Sequence, residues 1–191
     1  REHSLRFGQR GQGYYDPENR KQYLETEMSR GLITDLGDVD IWPADIKQTF
    51  DNTTEMTRKA REGCDLLVVM GGDHAITYPV VRAIEDDIYV IHFDAHSDNW
   101  RDKPERIDHG TMFYHAAKSG IIDDQHSVQI GLRTTNDDTL GFNVLDARWV
   151  HSNGPDAVAS EIKRIVGNRK TYLTFDIDCL DPAFAPGTGT P

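Results

Sequence analysis

The sequence predicts an α/β fold built on a parallel central sheet. Short apolar runs of strand length alternate with stretches of helical length, and three of those runs end in clusters of Gly, Asp and His. The first thirty residues are polar, with Gly8, Gly11 and Gly13 ahead of Tyr14-Tyr15-Asp16-Pro17, and read as irregular structure or a short decorated entry. From Gly31 to Asp40, Leu32, Ile33, Leu36 and Val39 alternate with polar residues and suggest a strand. Pro43 suits the first turn of a helix running to about Glu62 and stopped by Gly63. Asp65–Met70 is a continuous apolar run closed by Gly71-Gly72, the pattern of a parallel strand covered on both faces. The rhythm then repeats: helix 75–86, strand Ile88–Phe93, helix 111–119, strand Ser127–Leu132, helix 155–166 and strand Thr171–Phe175.

The chain has 191 residues, 21 basic against 32 acidic side chains and a net charge of -11. This describes one globular domain, 1–191, large enough to bury a core without disulfides or a structural metal. Two widely spaced cysteines, Cys64 and Cys179, form no disulfide framework and point to a reducing, cytoplasmic setting. No apolar run approaches the ~18 residues of a membrane span. The acidic balance argues against binding a nucleic-acid backbone and leaves small cations as natural partners. Arg1 without a methionine, and a loop-like end at Ala185–Pro191, read as a piece of a longer protein, incomplete at both ends.

Ligands of open parallel sheets sit beyond the carboxyl ends of the strands. Three predicted ends carry polar chemistry: Gly71-Gly72-Asp73-His74, Asp94-Ala95-His96-Ser97-Asp98 and Asp176-Ile177-Asp178. The Asp94-x-His96-x-Asp98 spacing has period two, which on an extended segment aims all three side chains to one side. Any one Asp alone reads as a turn or helix cap. Four carboxylates brought together raise one another's pKa steeply unless cations join them. Two histidines and four aspartates suit two divalent cations sharing bridging carboxylates, with Mn²⁺ favoured by the oxygen-rich set. Two such ions lower the pKa of a bridging water, which makes hydrolysis the natural reaction.

These three motifs, with Phe93 before the second and Thr174-Phe175 before and Cys179-Leu180-Asp181-Pro182 after the third, resemble the metal-ligand motifs of the ureohydrolases, the arginase and agmatinase family. The likeness extends through His109–Tyr114, His126–Gly131 and Ala183–Pro191, where it is nearest to bacterial agmatinases, and covers about Asp35 to Pro191. It implies a three-layer α/β/α fold, two Mn²⁺ ions, and hydrolysis of a guanidinium group to urea and an amine. By position it implies that His74, Asp94, Asp98 and Asp176 hold one ion, and that Asp94, His96, Asp176 and Asp178 hold the other. Asp94 and Asp176 then bridge, Asp178 also holds the bridging hydroxide, and His109 shuttles protons to the leaving amine. A homo-oligomer, trimeric or hexameric, follows from the same likeness.

Other residues read differently. His92 is a core or supporting histidine, Asp73 and Asp181 orient loops, and Cys179 packs. The Gly187–Thr190 run lacks the lysine and helix of a phosphate loop. Trp100 and Ile107-Asp108 stand where arginases place polar residues for the amino acid's carboxylate and amine, which favours agmatine over arginine. A guanidino acid such as guanidinobutyrate is the alternative, with Arg101, Lys103 or Arg106 for its carboxylate. The family's guanidinium-contacting glutamate lies downstream of the third motif, beyond this chain. A metal-binding but inactive relative acting through association is therefore a second class of function.

Overall fold

A computed structural model describes residues 13–84, 87–103 and 105–190. The chain divides into two compact units, 1–38 and 39–191. In the first, β1 (Tyr14–Asp16) and β2 (Lys21–Tyr23) form an antiparallel hairpin, followed by the short helix α1 (Glu25–Ser29). The Asp16 carboxylate closes the turn by accepting from the backbone amides of Glu18 and Asn19. Gly13 has φ of 70°, and a Cβ there would lie 2.1 Å from the Tyr23 carbonyl oxygen, so only glycine fits. This hairpin falls where the sequence suggested irregular structure. Residues 1–12 lie outside the described residues.

In the second unit, α2 (Ile46–Arg61) starts three residues after Pro43 because the Asp45 side chain caps it, accepting from the Gln48 amide at 2.9 Å. A 3-10 turn, His74–Ile76, leads into α3 (Thr77–Arg82). The remaining elements are β3 (Tyr89–Phe93), α4 (Met112–Lys118), β4 (Val128–Ile130), β5 (Asn143–Leu145), α5 (Ala147–Val166) and β6 (Thr171–Phe175), with a 3-10 turn at Ile177–Cys179. Helix α3 and its turn end four residues short of the predicted 86, whose own position lies outside the described residues.

The sheet is parallel throughout, in the order β5-β4-β3-β6. Helices cover both faces. Val90 of β3 packs with Val81, Met112, Phe113 and Ala116 of α3 and α4, while Tyr89, Ile91 and Phe93 pack with Val158, Ile165 and Val166 of α5. The predicted three-layer α/β/α arrangement is the one observed. Register aligns the carboxyl ends, with Phe93 opposite both Ile130 and Phe175. The Asp94 amide donates to Ile130 O and the Asp176 amide to Phe93 O, so the residues after each strand emerge at one edge.

Two predicted strands are corrected. Residues 31–40 form no strand: Gly31 and Gly37 have positive φ, and Leu32, Ile33 and Leu36 are exposed. Asp65–Met70 is likewise irregular and uncovered, with Leu66 80% and Met70 83% exposed. A strand exists only as part of a ladder, and among the described residues neither run has a neighbouring strand to pair with. Helix α5 begins at Ala147 rather than 155, because Gly154, at φ of 78°, kinks it and Pro155 restarts it. β5, only three residues long, was not anticipated.

Candidate metal centre

Asp94, the first residue beyond β3, lies 1% exposed at the centre of the candidate site. Its Oδ2 is 3.0 Å from His74 Nδ1 and 2.8 Å from His92 Nε2. Its Oδ1 accepts from the His96 amide at 2.7 Å and lies 3.3 Å from His96 Nδ1. One carboxylate thus joins two groups of potential ligands: His74, His92, Asp94 and Asp98 on one side, and Asp94, His96 and Asp178 on the other.

The 3-10 turn after Gly71-Gly72 delivers His74. Asp73 orients that turn as expected, its carboxylate accepting from the Ala75 amide. His74 Nε2 pairs with Thr174 Oγ1 at 2.7 Å, which aims Nδ1 into the site. There the oxygens of Asp94, Asp98 and Asp176 approach to 3.0, 3.0 and 3.2 Å, yet none meets Nδ1 in hydrogen-bond geometry. A buried imidazole nitrogen left unpaired among three carboxylate oxygens is a donor set arranged for a cation. On the other side, Asp178 Oδ2 lies 3.0 Å from His96 Nδ1 and its Oδ1 accepts from the Ala95 amide. Asp176 Oδ1 accepts from the Asp178 amide, leaving Oδ2 to the His74 side.

The expectation that Asp94, His96 and Asp98 point one way is corrected. The backbone bends after Asp94, and Asp98 takes a left-handed φ of 51°. His96 therefore faces Asp178 while Asp98 faces His74. The strain at Asp98 is sustained by its surroundings, since its carbonyl accepts from the Phe113 amide at the start of α4.

Burial disfavours charge throughout the site, and its groups resolve that cost differently. Burial opposes a proton on His74, but the adjoining carboxylates of Asp94 and Asp98 override it and push the imidazole up to about 10. Burial would also raise Asp94, yet His74, His92 and the His96 amide hold it far below the usual carboxylate range. Asp98 and Asp178 are raised, first by burial and then by neighbouring carboxylates. Without a cation, a proton on His74 offsets the gathered negative charge.

His109 stands apart from both groups, 71% exposed, with Nδ1 3.8 Å from an Asp73 oxygen. Cys179 is a free thiol pushed up to about 11 by burial and by Asp178, Asp94 and Asp176, which keeps it protonated and unsuited to nucleophilic attack. Asp181 orients its loop by accepting from the Ala183 amide. Arg106 is engaged by Asp102 and Asp108 at 3.3 and 3.1 Å.

The loop after β4 was not anticipated as part of the site. Arg133 donates from Nη2 to the Asp178 carbonyl at 2.7 Å, and the Arg133 and Thr134 amides both donate to Ala95 O. Asn136 holds Ser97 and Asn99 through their side chains. These residues brace two candidate ligand loops at backbone carbonyls and at residues between the motif positions, so the motifs themselves carried no signal for them. Their position beyond a strand's carboxyl end was the only available clue.

A parallel sheet carrying these motifs at its carboxyl edge defines the class. The family model for the arginase family matches residues 3–191, and the chain belongs to that family. Among curated relatives, the agmatinase of Proteus mirabilis is 48% identical over 162 residues, covering 83% of this chain and 53% of the relative. The agmatinase of Chromobacterium violaceum is 54% identical over 130 residues, covering 65% and 40%. A crystal structure of a hypothetical agmatinase from Burkholderia thailandensis superposes with a TM-score of 0.78 at 50% identity, covering 81% of this chain and 51% of the other. The chain thus spans about half the length of these relatives. No helix among the described residues is long and apolar enough to cross a membrane.

Proposed function

We propose that the protein to which this chain belongs hydrolyses the guanidinium group of agmatine to putrescine and urea, using two Mn²⁺ ions. The observation that carries this reading is Asp94, buried and shared between two ligand groups, in a chain with agmatinases among its relatives. His74, Asp94, Asp98 and Asp176 would hold one ion, and Asp94, His96, Asp176 and Asp178 the other. When bound, the ions supply positive charge and lower the pKa of the attacking water.

The chain's own residues do the rest. Asp178, fixed through Oδ1 by the Ala95 amide, accepts a hydrogen bond from the attacking water and orients it. Water adds its oxygen to the guanidinium carbon, the bond from that carbon to the alkyl-bearing nitrogen breaks, and this nitrogen must gain a proton to leave as an amine. His109, exposed to solvent, supplies that proton.

Agmatine, with no carboxylate, needs no cationic anchor. The engagement of Arg106 by two aspartates disfavours it as an anchor for guanidinobutyrate. A small cationic guanidine suits the acidic balance of the chain. Further parts of the same reading are a single domain spanning 1–191, a cytoplasmic location supported by two free cysteines, a homo-oligomer and a role in forming putrescine for polyamines.

The test is urea release by the intact, Mn²⁺-loaded protein from agmatine, arginine, guanidinobutyrate and guanidinopropionate side by side. Agmatine is expected to dominate. Release from none of them, with two ions bound, favours the inactive, associating relative. Asp94→Ala is expected to abolish activity and empty both sites, whereas Cys179→Ser retains both ions.

A further inference from the structure

Beyond the six residues assigned above, a buried relay of neutral side chains reaches Asp94 from the neighbouring strand. His92 of β3 and Gln129 of β4 are registered partners, both 0% exposed. Gln129 Nε2 lies 2.6 Å from the Ser97 carbonyl oxygen and 3.1 Å from His92 Nδ1. The Ser97 carbonyl only accepts, so the amide nitrogen must face it, because the reverse orientation would press two acceptors together. The second hydrogen on that nitrogen then points at His92 Nδ1, which must carry a lone pair to receive it. A neutral imidazole with a bare Nδ1 has its hydrogen on Nε2, and Nε2 lies 2.8 Å from Asp94 Oδ2.

We propose that Gln129 and His92 are positioning residues that lock Asp94 as a metal-bridging carboxylate, Gln129 by occupying Nδ1 and so fixing the ring, and His92 by donating its Nε2 hydrogen to Asp94 Oδ2. The other oxygen is fixed by the His96 amide, so both carboxylate oxygens are oriented before any ion arrives. Both His92 nitrogens are used within this relay, which removes His92 from the ligand set despite its closeness. Gln129 Oε1, buried and without a partner, is left unsatisfied as the cost of this orientation. Partners of this kind tune metal affinity by roughly 10- to 100-fold. The proposal rests on the reading of Asp94 as a ligand.

His92 also packs its ring on Phe113, at 4.6 Å between centroids, and on His74 at 5.3 Å, so a purely packing role is the alternative. Two substitutions separate them. His92→Phe keeps a ring and removes the donor, whereas His92→Gln gives up the ring but can return an N–H near the Nε2 position. Mn²⁺ titration of the metal-free intact protein by calorimetry is expected to show His92→Phe roughly 10- to 100-fold weaker and His92→Gln recovering most of the affinity. The opposite order, with phenylalanine tolerated and glutamine costly, overturns the proposal.

Imidazole ¹⁵N spectra are expected to show His92 with Nε2–H and a hydrogen-bonded, bare Nδ1 in the native protein, and to shift the Nδ1 signal in Gln129→Met as that bond is lost. If Gln129→Met leaves the Nδ1 signal unchanged, Gln129 does not bond His92 and the relay is wrong. Should His92→Phe fail to fold, the His92→Gln affinity and the Gln129→Met spectrum decide between the same outcomes. Native protein that binds Mn²⁺ tightly without releasing urea counts against the agmatine reading alone and leaves this test intact. Native protein that binds no Mn²⁺ removes both.

Discussion

At the residue scale, His109 is the sharpest test of the division between holding ions and moving protons. It lies exposed and apart from both ligand groups, so His109→Asn should cut turnover by about 10²- to 10⁴-fold while two ions remain bound. Metal analysis beside steady-state kinetics checks both halves, and loss of an ion from this variant would make His109 a ligand. His74 gives a second prediction. Its folded-state pKa is raised to about 10 from an ordinary 6.5, so its protonation stabilises the metal-free protein fully below about 6.5, and that contribution fades as pH rises through about 10. A cation needs Nδ1 bare, so Mn²⁺ binding near neutral pH should expel a proton. Calorimetry in buffers of different ionisation enthalpy counts it, and a count of zero contradicts the assignment of His74. The six proposed ligands were legible because each stands in a short motif, five of them beyond β3 or β6 and His74 in a 3-10 turn that directly follows no strand among the described residues. Gln129 and Arg133 were not, because they act through a cross-strand neighbour and a backbone carbonyl, neither of which leaves a mark in spacing.

Elements were legible where local chemistry alone decides them. Thr171–Phe175 was anticipated residue for residue, and Ile88–Phe93 to within one, since both are short β-rich runs whose neighbours lie within this chain. Asp65–Met70 is also a short apolar run and failed, because among the described residues no strand lies beside it. Helix α5 was seen only from its restart at Pro155, since Gly154-Pro155 reads locally as a beginning rather than a kink. Helix α2 is capped at its N-terminus by one side-chain contact, Asp45 to the Gln48 amide. Asp45→Ala should therefore cost about 1 kcal/mol of stability, read as a shift in the denaturant midpoint without a change in slope. Asp45→Asn, which keeps an accepting oxygen, should restore most of it.

For the second compact unit as a whole, β3 is held on both edges by parallel neighbours and on both faces by helices, and Asp94 follows directly from it. β5 lies at one margin of the sheet and β6 at the other. Amide hydrogen exchange should follow this arrangement. The amides of Val90–Phe93 should exchange only through the largest opening the fold permits, and those of β5 through smaller ones, in a residue-resolved measurement under native conditions. Exchange from β3 as fast as from β5 would contradict it. The proposed bridging carboxylate, Asp94, therefore stands on the part of the sheet that opens last. As denaturant rises, the β5 margin, which carries none of the proposed ligands, should loosen while metal is retained, and ion release should coincide with the final cooperative transition, so that the protein gives up its ions only when it gives up its fold.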